Sequence, residues 1–340
     1  MSSYTRGGVI VNRAPGISWL CLRSTKRVLV FFVLFPMLSV LSSCGRSPQA
    51  AQGAPPPPLQ FLGQWGRAGT EPGELQNPQA LACDSVGNVY IADDGNPTEI
   101  EKFDSLGHPL LAFAASGSQN DWDIAVDDGG AIFLVDRRRA QVQIFTPEGE
   151  SFRTLFFRYR RDFHDPASLA IDPVGDFYLA DFLAGRVVRM SPRGRTLEGW
   201  GKPAGLATER WMPYPIRLAQ DGNLFAADAG DQRIVRLTSV GQYVSSWEFP
   251  FTGIQRSTNA PKPNSLAVFG NLVAASDAQK RLLEIWGLDG TPKLTVDFSQ
   301  HPEWGEQASP TDIAFTPRGD LLILDRPDSR VLRFRVNIGG

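Results

Sequence analysis

Beyond residue 59 the chain alternates short apolar runs with turn residues, in strands of period two separated by Gly, Asp, Asn and Pro. Apolar runs this short, broken about every eight to twelve residues, exclude a helical solenoid and predict an all-β fold. One phrase recurs six times: LACDSVGNVYIAD (81–93), IAVDDGGAIFLVD (124–136), LAIDPVGDFYLAD (169–181), LAQDGNLFAAD (218–228), LAVFGNLVAAS (266–276) and IAFTPRGDLLILD (313–325). Its terminal positions, 93, 136, 181, 228, 276 and 325, are spaced by 43, 45, 47, 48 and 49 residues. Each phrase predicts a strand, a Gly-containing turn and a second strand. A polar loop and a third strand follow (IEKF, VQIF, VVRM, IVRL, LLEI, VLRF), then a second glycine turn (Gly107, Gly149, Gly194, Gly241, Gly290) and a fourth strand. Four strands in a repeat of this length make one propeller blade.

The sixth repeat stops at Gly340, soon after its third strand, while an orphan strand, LQFLGQW (59–65), precedes the first. The orphan resembles the missing fourth strand. The pattern therefore predicts a six-bladed β-propeller over 59–340, monomeric, with four-stranded blades and strand 59–65 completing the last. That closure removes the unpaired edges that invite association.

The phrase Asp-x-x-Gly-Asn, three apolar residues, Ala-Asp, a short loop and Arg resembles the NHL repeat, best in blade four (DGNLFAADAGDQRIVRL, 221–237). The aspartates ending the second strands are Asp93, Asp136, Asp181, Asp228 and Asp325; Arg186, Arg233 and Arg330 follow three of them at five residues. Ser276 with Arg281 stands for the pair in blade five, and Glu99 and Gln141 occupy the arginine place in blades one and two. We read these pairs as structural: the aspartate accepts loop N–H groups and the arginine holds the loop through a bidentate contact.

The N-terminal segment has a different character. Five of the 34 basic residues and none of the 36 acidic ones precede Cys44, so the remainder is acidic, which argues against nucleic-acid binding. Val28 to Leu41 is apolar apart from Pro36 and Ser39 and follows Arg23, Lys26 and Arg27, as in a signal peptide; at 14 residues it is short for a spanning helix. Leu41-Ser42-Ser43-Cys44 resembles the lipobox of bacterial lipoproteins. The resemblance implies cleavage before Cys44, lipidation of its thiol and anchoring by more than one acyl chain. Domain boundaries then read 1–43 signal peptide, 44–58 Pro-rich tether and 59–340 propeller. The address is the cell envelope: the outer membrane facing the periplasm where there are two membranes, the cell surface otherwise. An uncleaved signal anchor is the other reading. Only Cys83 would remain as a thiol, so no disulfide framework is expected.

Chemistry is sparse. NHL-like and lactonase-type propellers include enzymes with a channel metal, but His108, His164 and His301 fall at both ends of the blades and cannot meet in one three-histidine site. Aligned on the phrase, the starts of the first strands place Ala80, Asp123, Ser168, Arg217, Ser265 and Asp312 in a ring at the channel mouth. Those side chains suit an ion or a polar ligand. Connections on the same face carry Trp211, Tyr214, Phe251 and Trp304; Arg137, Arg138 and Arg139, with Arg158, Arg160 and Arg161 nearby, form a candidate anion-attracting patch. The expectation is a membrane-tethered binding or scaffold module presenting this face to a protein or small ligand, with no cofactor. The alternatives are a hydrolase or lyase using calcium or another channel cation, and a glycan or cell-wall binder using the rim aromatics.

Overall fold

The computed structural model describes residues 56–95, 97–116, 122–158, 162–207, 210–249 and 263–338. The apolar run, Cys44 and most of the tether lie outside them. Six four-stranded antiparallel sheets are present, each ordered as its strands occur in the chain except the last. Blade 1 is typical, with strands Pro78–Cys83, Val89–Asp93, Glu99–Phe103 and Pro109–Ala114. The first strands of blades 2 to 6 are Trp122–Val126, Pro166–Ile171, Pro213–Leu218, Ser265–Phe269 and Asp312–Phe315. Helical structure among the described residues is limited to two single-turn 3-10 segments, Phe298–Gln300 and Pro302–Trp304.

The last sheet closes as the sequence predicts. Leu59–Trp65 pairs antiparallel with Arg330–Val336, from Leu59 opposite Val336 to Trp65 opposite Val331. Phe61 packs on Phe334 with ring centroids 5.5 Å apart, and the Asn337 N–H donates to Pro58 O at 2.8 Å. Third strands run from the channel-entry face to the opposite face, so the closing strand enters the fold at the exit face.

Each blade is covered on both sides by its neighbours, and six apolar clusters fill the six interfaces. Double coverage explains why second strands such as Val89–Asp93 and Phe177–Asp181 are buried at every residue and why they read as continuous apolar runs. Fourth strands lie outermost and alternate more exposed with less exposed residues, as in Pro109–Ala114.

The glycine of each third-to-fourth-strand turn has a packing role. A large side chain from the preceding blade's fourth strand lies where a Cβ would point: Trp65 at Gly107, Phe113 at Gly149, Leu155 at Gly194, Trp200 at Gly241 and Trp247 at Gly290. In blade 6 the third and fourth strands are not consecutive in the chain, so no such turn joins them. A Cβ on Gly241 would sit 2.4 Å from Trp200 Cγ, at φ +79°. Gly222 has nearly the same φ, +80°, with nothing within 4 Å. Urea denaturation is expected to show Gly241→Ala destabilising by about 2–4 kcal/mol and Gly222→Ala by about 1 kcal/mol. Equal losses would mean that backbone strain alone selects these glycines.

Candidate functional site at the channel mouth

The first strands line the central channel, and their register fixes three stacked rings. In blade 1, Pro78 pairs with Asp93, Ala80 with Ala92 and Leu81 with Ile91. In blade 4, Pro213 pairs with Asp228 and Ile216 with Ala226. Pro215, not Arg217, is therefore the blade 4 counterpart of Ala80. The phrase alignment slid by two residues because Leu218-Ala219 imitates the Leu-Ala that opens other phrases. Hydrogen bonding agrees: Ala219 opens the blade 4 turn by accepting from the Gly222 N–H, as Asp84 does from Gly87 in blade 1.

With that correction, the outer ring holds Gln79, Trp122, Tyr214, Asn264 and Thr311. The middle ring holds Ala80, Asp123, Ser168, Pro215, Ser265 and Asp312. The inner ring is Ala82, Ala125, Ala170, Ala267 and Ala314, with Arg217 as its one departure from alanine. Five methyl groups leave a bore, and the sixth position fills it. Arg217 lines both a cavity of about 150 Å³ at the mouth and one of about 230 Å³ on the exit side. The exit-side cavity is lined by all five alanines with Val126, Val268 and Phe315. The guanidinium thus lies between a polar mouth and a bore lined mostly by apolar side chains.

Its anchor is two blades away. Arg217 Nη2 lies 3.2 Å from Asp123 Oδ1 and Nη1 3.3 Å from Oδ2; Nη1 also donates to Ile216 O at 2.9 Å. Asp123 Oδ2 further accepts from Ser168 Oγ (2.7 Å) and the Leu169 N–H (2.9 Å). Across the channel Asp312 repeats the forward reach: Oδ2 accepts from the Leu81 N–H at 2.7 Å, and Oδ1 from Ser265 Oγ and the Ile313 N–H. The middle ring therefore stitches each of these blades to a neighbour. Ser168 Oγ continues the pattern by accepting from the Ile216 N–H at 3.1 Å.

Both carboxylates are buried. Burial pushes Asp312 up to about 6; Arg217 opposes the rise and Asp123 adds to it. Burial pulls Arg217 downward, but Asp123 and Asp312 more than offset it and leave it above its ordinary value. Burial, then the same two carboxylates, raise the Tyr214 hydroxyl, which stays protonated. Among the described residues no group of three or more His, Cys, Asp or Glu side chains is placed to hold a metal ion. The cation that Asp123 holds is Arg217.

The repeat residues lie away from this channel network. Asp93 accepts from the Gln76 and Asn77 N–H groups, Asp181 from His164 and Asp165, Asp228 from Met212, and Asp325 from Ser309. In each case the carboxylate holds the connection entering its own blade. Asp136 takes the Arg139 N–H within its own loop, with Gln141 Nε2 at 3.3 Å. Arg186 joins Asp181 to Asp162 O, and Arg330 joins Asp325 to Trp304 O. Arg233 departs: its Nη2 lies 3.4 Å from Asp231, while its Nε and Asp228 Oδ2 are buried without a hydrogen bond. Blade 5 also corrects the alignment. Its register pairs Asp277 with Leu282, so Asp277 is the repeat aspartate. Arg281 sits one residue earlier, at φ +55°, and donates to Ala308 O at 2.7 Å.

The loop candidates disperse. Trp211 and Trp304 are buried in blade-interface clusters and present no platform to a glycan; Trp304 is stacked under His301. Among the described connection aromatics, Tyr214 alone lines the mouth. Arg137 is paired with Asp165 and lies over the Phe182 and Tyr214 rings, whereas Arg138 and Arg139 are exposed. Arg158 pairs with Asp162 at 3.4 Å. Arg160, Arg161 and Phe251 fall outside the described residues. His108 contacts Asp104 and His301 contacts Glu303, and neither histidine lines the mouth cavity. The outer-ring polar residues Gln79, Asn264 and Thr311 escaped the sequence reading, although each stands one residue before a middle-ring position.

No protein-family model matches the chain, and no curated protein does. The fold is similar to solved structures of lyases. A streptogramin B lyase matches at 14% identity and a TM-score of 0.56 over 82% of this chain and 98% of that one. The virginiamycin B lyase of Staphylococcus aureus matches at 11% identity and 0.58, over 81% and 99%. A catalytically inactive histidine-to-alanine variant of the Staphylococcus aureus enzyme, solved with quinupristin, matches at 14% and 0.55, over 81% and 98%. At these identities the likeness establishes the six-bladed propeller and nothing finer.

Proposed function

We propose that this protein is an envelope lipoprotein whose NHL-type propeller binds a small polar ligand at the channel mouth. The observation that carries the reading is Arg217: one guanidinium replaces a methyl group in an otherwise alanine-lined ring, closes the bore and leaves a polar cavity with an unneutralised carboxylate. Concave sites with a few convergent polar groups are the usual form of small-ligand recognition. A lipidated chain partitions into membranes and Cys44→Ser releases it; a thermal-shift screen of small ions and polar solutes then finds ligands whose effect Arg217→Ala changes. Recovery of the Cys44→Ser chain in the membrane fraction would sink the anchoring half. A screen in which no solute distinguishes wild type from Arg217→Ala would sink the binding half.

A lyase-type reaction at the same mouth is the second reading, favoured by the solved structures the fold resembles and by Asp312, a buried carboxyl pushed to about 6 and so suited to act as a base near neutral pH. Against it, the inactive neighbour lacks one histidine, and no histidine lines this mouth cavity.

A further inference from the structure

The mouth cavity has a definite charge and shape. Two carboxylates face one guanidinium, and Arg217 is bound to Asp123. The partners of Asp312 are all neutral: a serine hydroxyl and two backbone N–H groups. When ionised, Asp312 therefore leaves the cavity with one uncompensated negative charge. Tyr214 and Trp122 are among the residues that line the same cavity. At about 150 Å³ the cavity has room for roughly five waters at ~30 Å³ each, enough for an ammonium group and its adjoining carbons.

Thr311 lines both the mouth and a shallow depression of about 420 Å³ on the same face, bordered by Asn77, Gln279, Ser309 and Arg326. Amides and hydroxyls both donate and accept, matching the alternating N–H and C=O groups of an extended peptide. Capture of a terminal amine with the backbone laid alongside is a known mode of peptide recognition.

We propose that the mouth takes the free ammonium group of a peptide N-terminus, with Asp312 as its counter-ion and the following peptide groups on the shelf that begins at Thr311. This rests on the reading of the mouth as a ligand site. Asp123, Arg217 and Tyr214 are the other ionisable groups facing the bound amine, and Arg217 excludes a second cation from the Asp123 side.

Calorimetric titration of the full-length chain in detergent with triglycine, N-acetyltriglycine and glucosamine tests the assignment. Triglycine is expected to bind; acetylating its amine, or replacing Asp312 in Asp312→Asn, is expected to weaken binding by about tenfold or more. Because Asp312 also joins two blades, Gln79→Lys provides a second variant: it places a competing ammonium in the cavity, leaves Asp312 in place and should block triglycine. Equal binding of the free and acetylated peptides, blocked by Gln79→Lys, would overturn the ammonium assignment while leaving the mouth a ligand site. Glucosamine binding more tightly than triglycine would overturn the peptide assignment. No heat from triglycine in the folded wild type overturns the proposal; if the thermal-shift screen is also empty, the reading of the mouth falls with it.

Discussion

A chain beginning at residue 66 is expected to lose its cooperative unfolding transition and to associate. Strand Leu59–Trp65 is short, but its register with Arg330–Val336 spans six residue pairs. At about 0.5–1.5 kcal/mol for each net backbone hydrogen bond, removing it subtracts several kcal/mol before packing is counted. Packing adds to the loss, because Trp65 fills the space above Gly107 of blade 1 and Phe61 covers Phe334. Gln64, which accepts from Arg330 Nη1 at 2.9 Å, goes as well. A domain of ordinary stability has only about 5–15 kcal/mol to lose. The exposed third strand of blade 6 would then offer a row of unpaired groups to other chains. The readouts are circular-dichroism melting and size-exclusion chromatography, against a chain beginning at residue 56. A synthetic peptide of residues 56–66 added in trans should restore both signals. A truncated chain that melts cooperatively as a monomer would show that blade 6 stands on three strands.

Blade number and closure were legible because both are properties of spacing. A period of 43 to 49 residues survives a local shift of one or two positions, and a missing fourth strand at one end is matched by a spare strand at the other. The site was less legible, since its chemistry depends on the phase within a strand. In blade 4 Leu218-Ala219, two residues beyond the true counterpart Ile216-Arg217, displaced Arg217 in the alignment from the bore into the mouth ring. In blade 5 a shorter turn after Ser265–Phe269 moved the repeat aspartate from position 276 to Asp277. Side-chain direction alternates at every residue and depth changes every second one, so such slips exchange a partition for a rim residue. The aromatic residues of the connections posed a different problem. Nothing local in the sequence says that Trp211 and Trp304 turn inward to fill blade interfaces, because the partners that bury them, such as Tyr178 and Phe334, lie in other strands.

Replacing Arg217 by methionine should expose what the partition does. The substitution keeps much of the volume and removes the charge, so Asp123 is left buried with Ser168 Oγ and the Leu169 N–H as neutral partners. Breaking one side of a buried ion pair costs about 3–5 kcal/mol, and Asp312 loses the cation that opposes its rise. The pH dependence has a definite sign. A carboxyl whose folded pKa lies above its unfolded value takes up protons on folding, so its ionisation lowers stability as pH rises between the two values. In the wild type, Asp312 does this between its ordinary value of 3.8 and about 6. In Arg217→Met the Asp312 carboxyl is displaced further upward, and the unfavourable window extends towards neutral pH. The deficit relative to wild type should therefore be largest at about pH 8 and shrink towards pH 5, as protonation removes the uncompensated charges. Urea denaturation at the two pH values measures it. Asp123→Asn combined with Arg217→Met removes both members of the pair and should recover most of the loss at pH 8, since an uncharged pair leaves no buried ion behind. A single variant equally stable at both pH values would show that water, not Arg217, neutralises Asp123. The channel would then have to be read as open to solvent through the inner ring, with the five alanines and not the guanidinium setting its width.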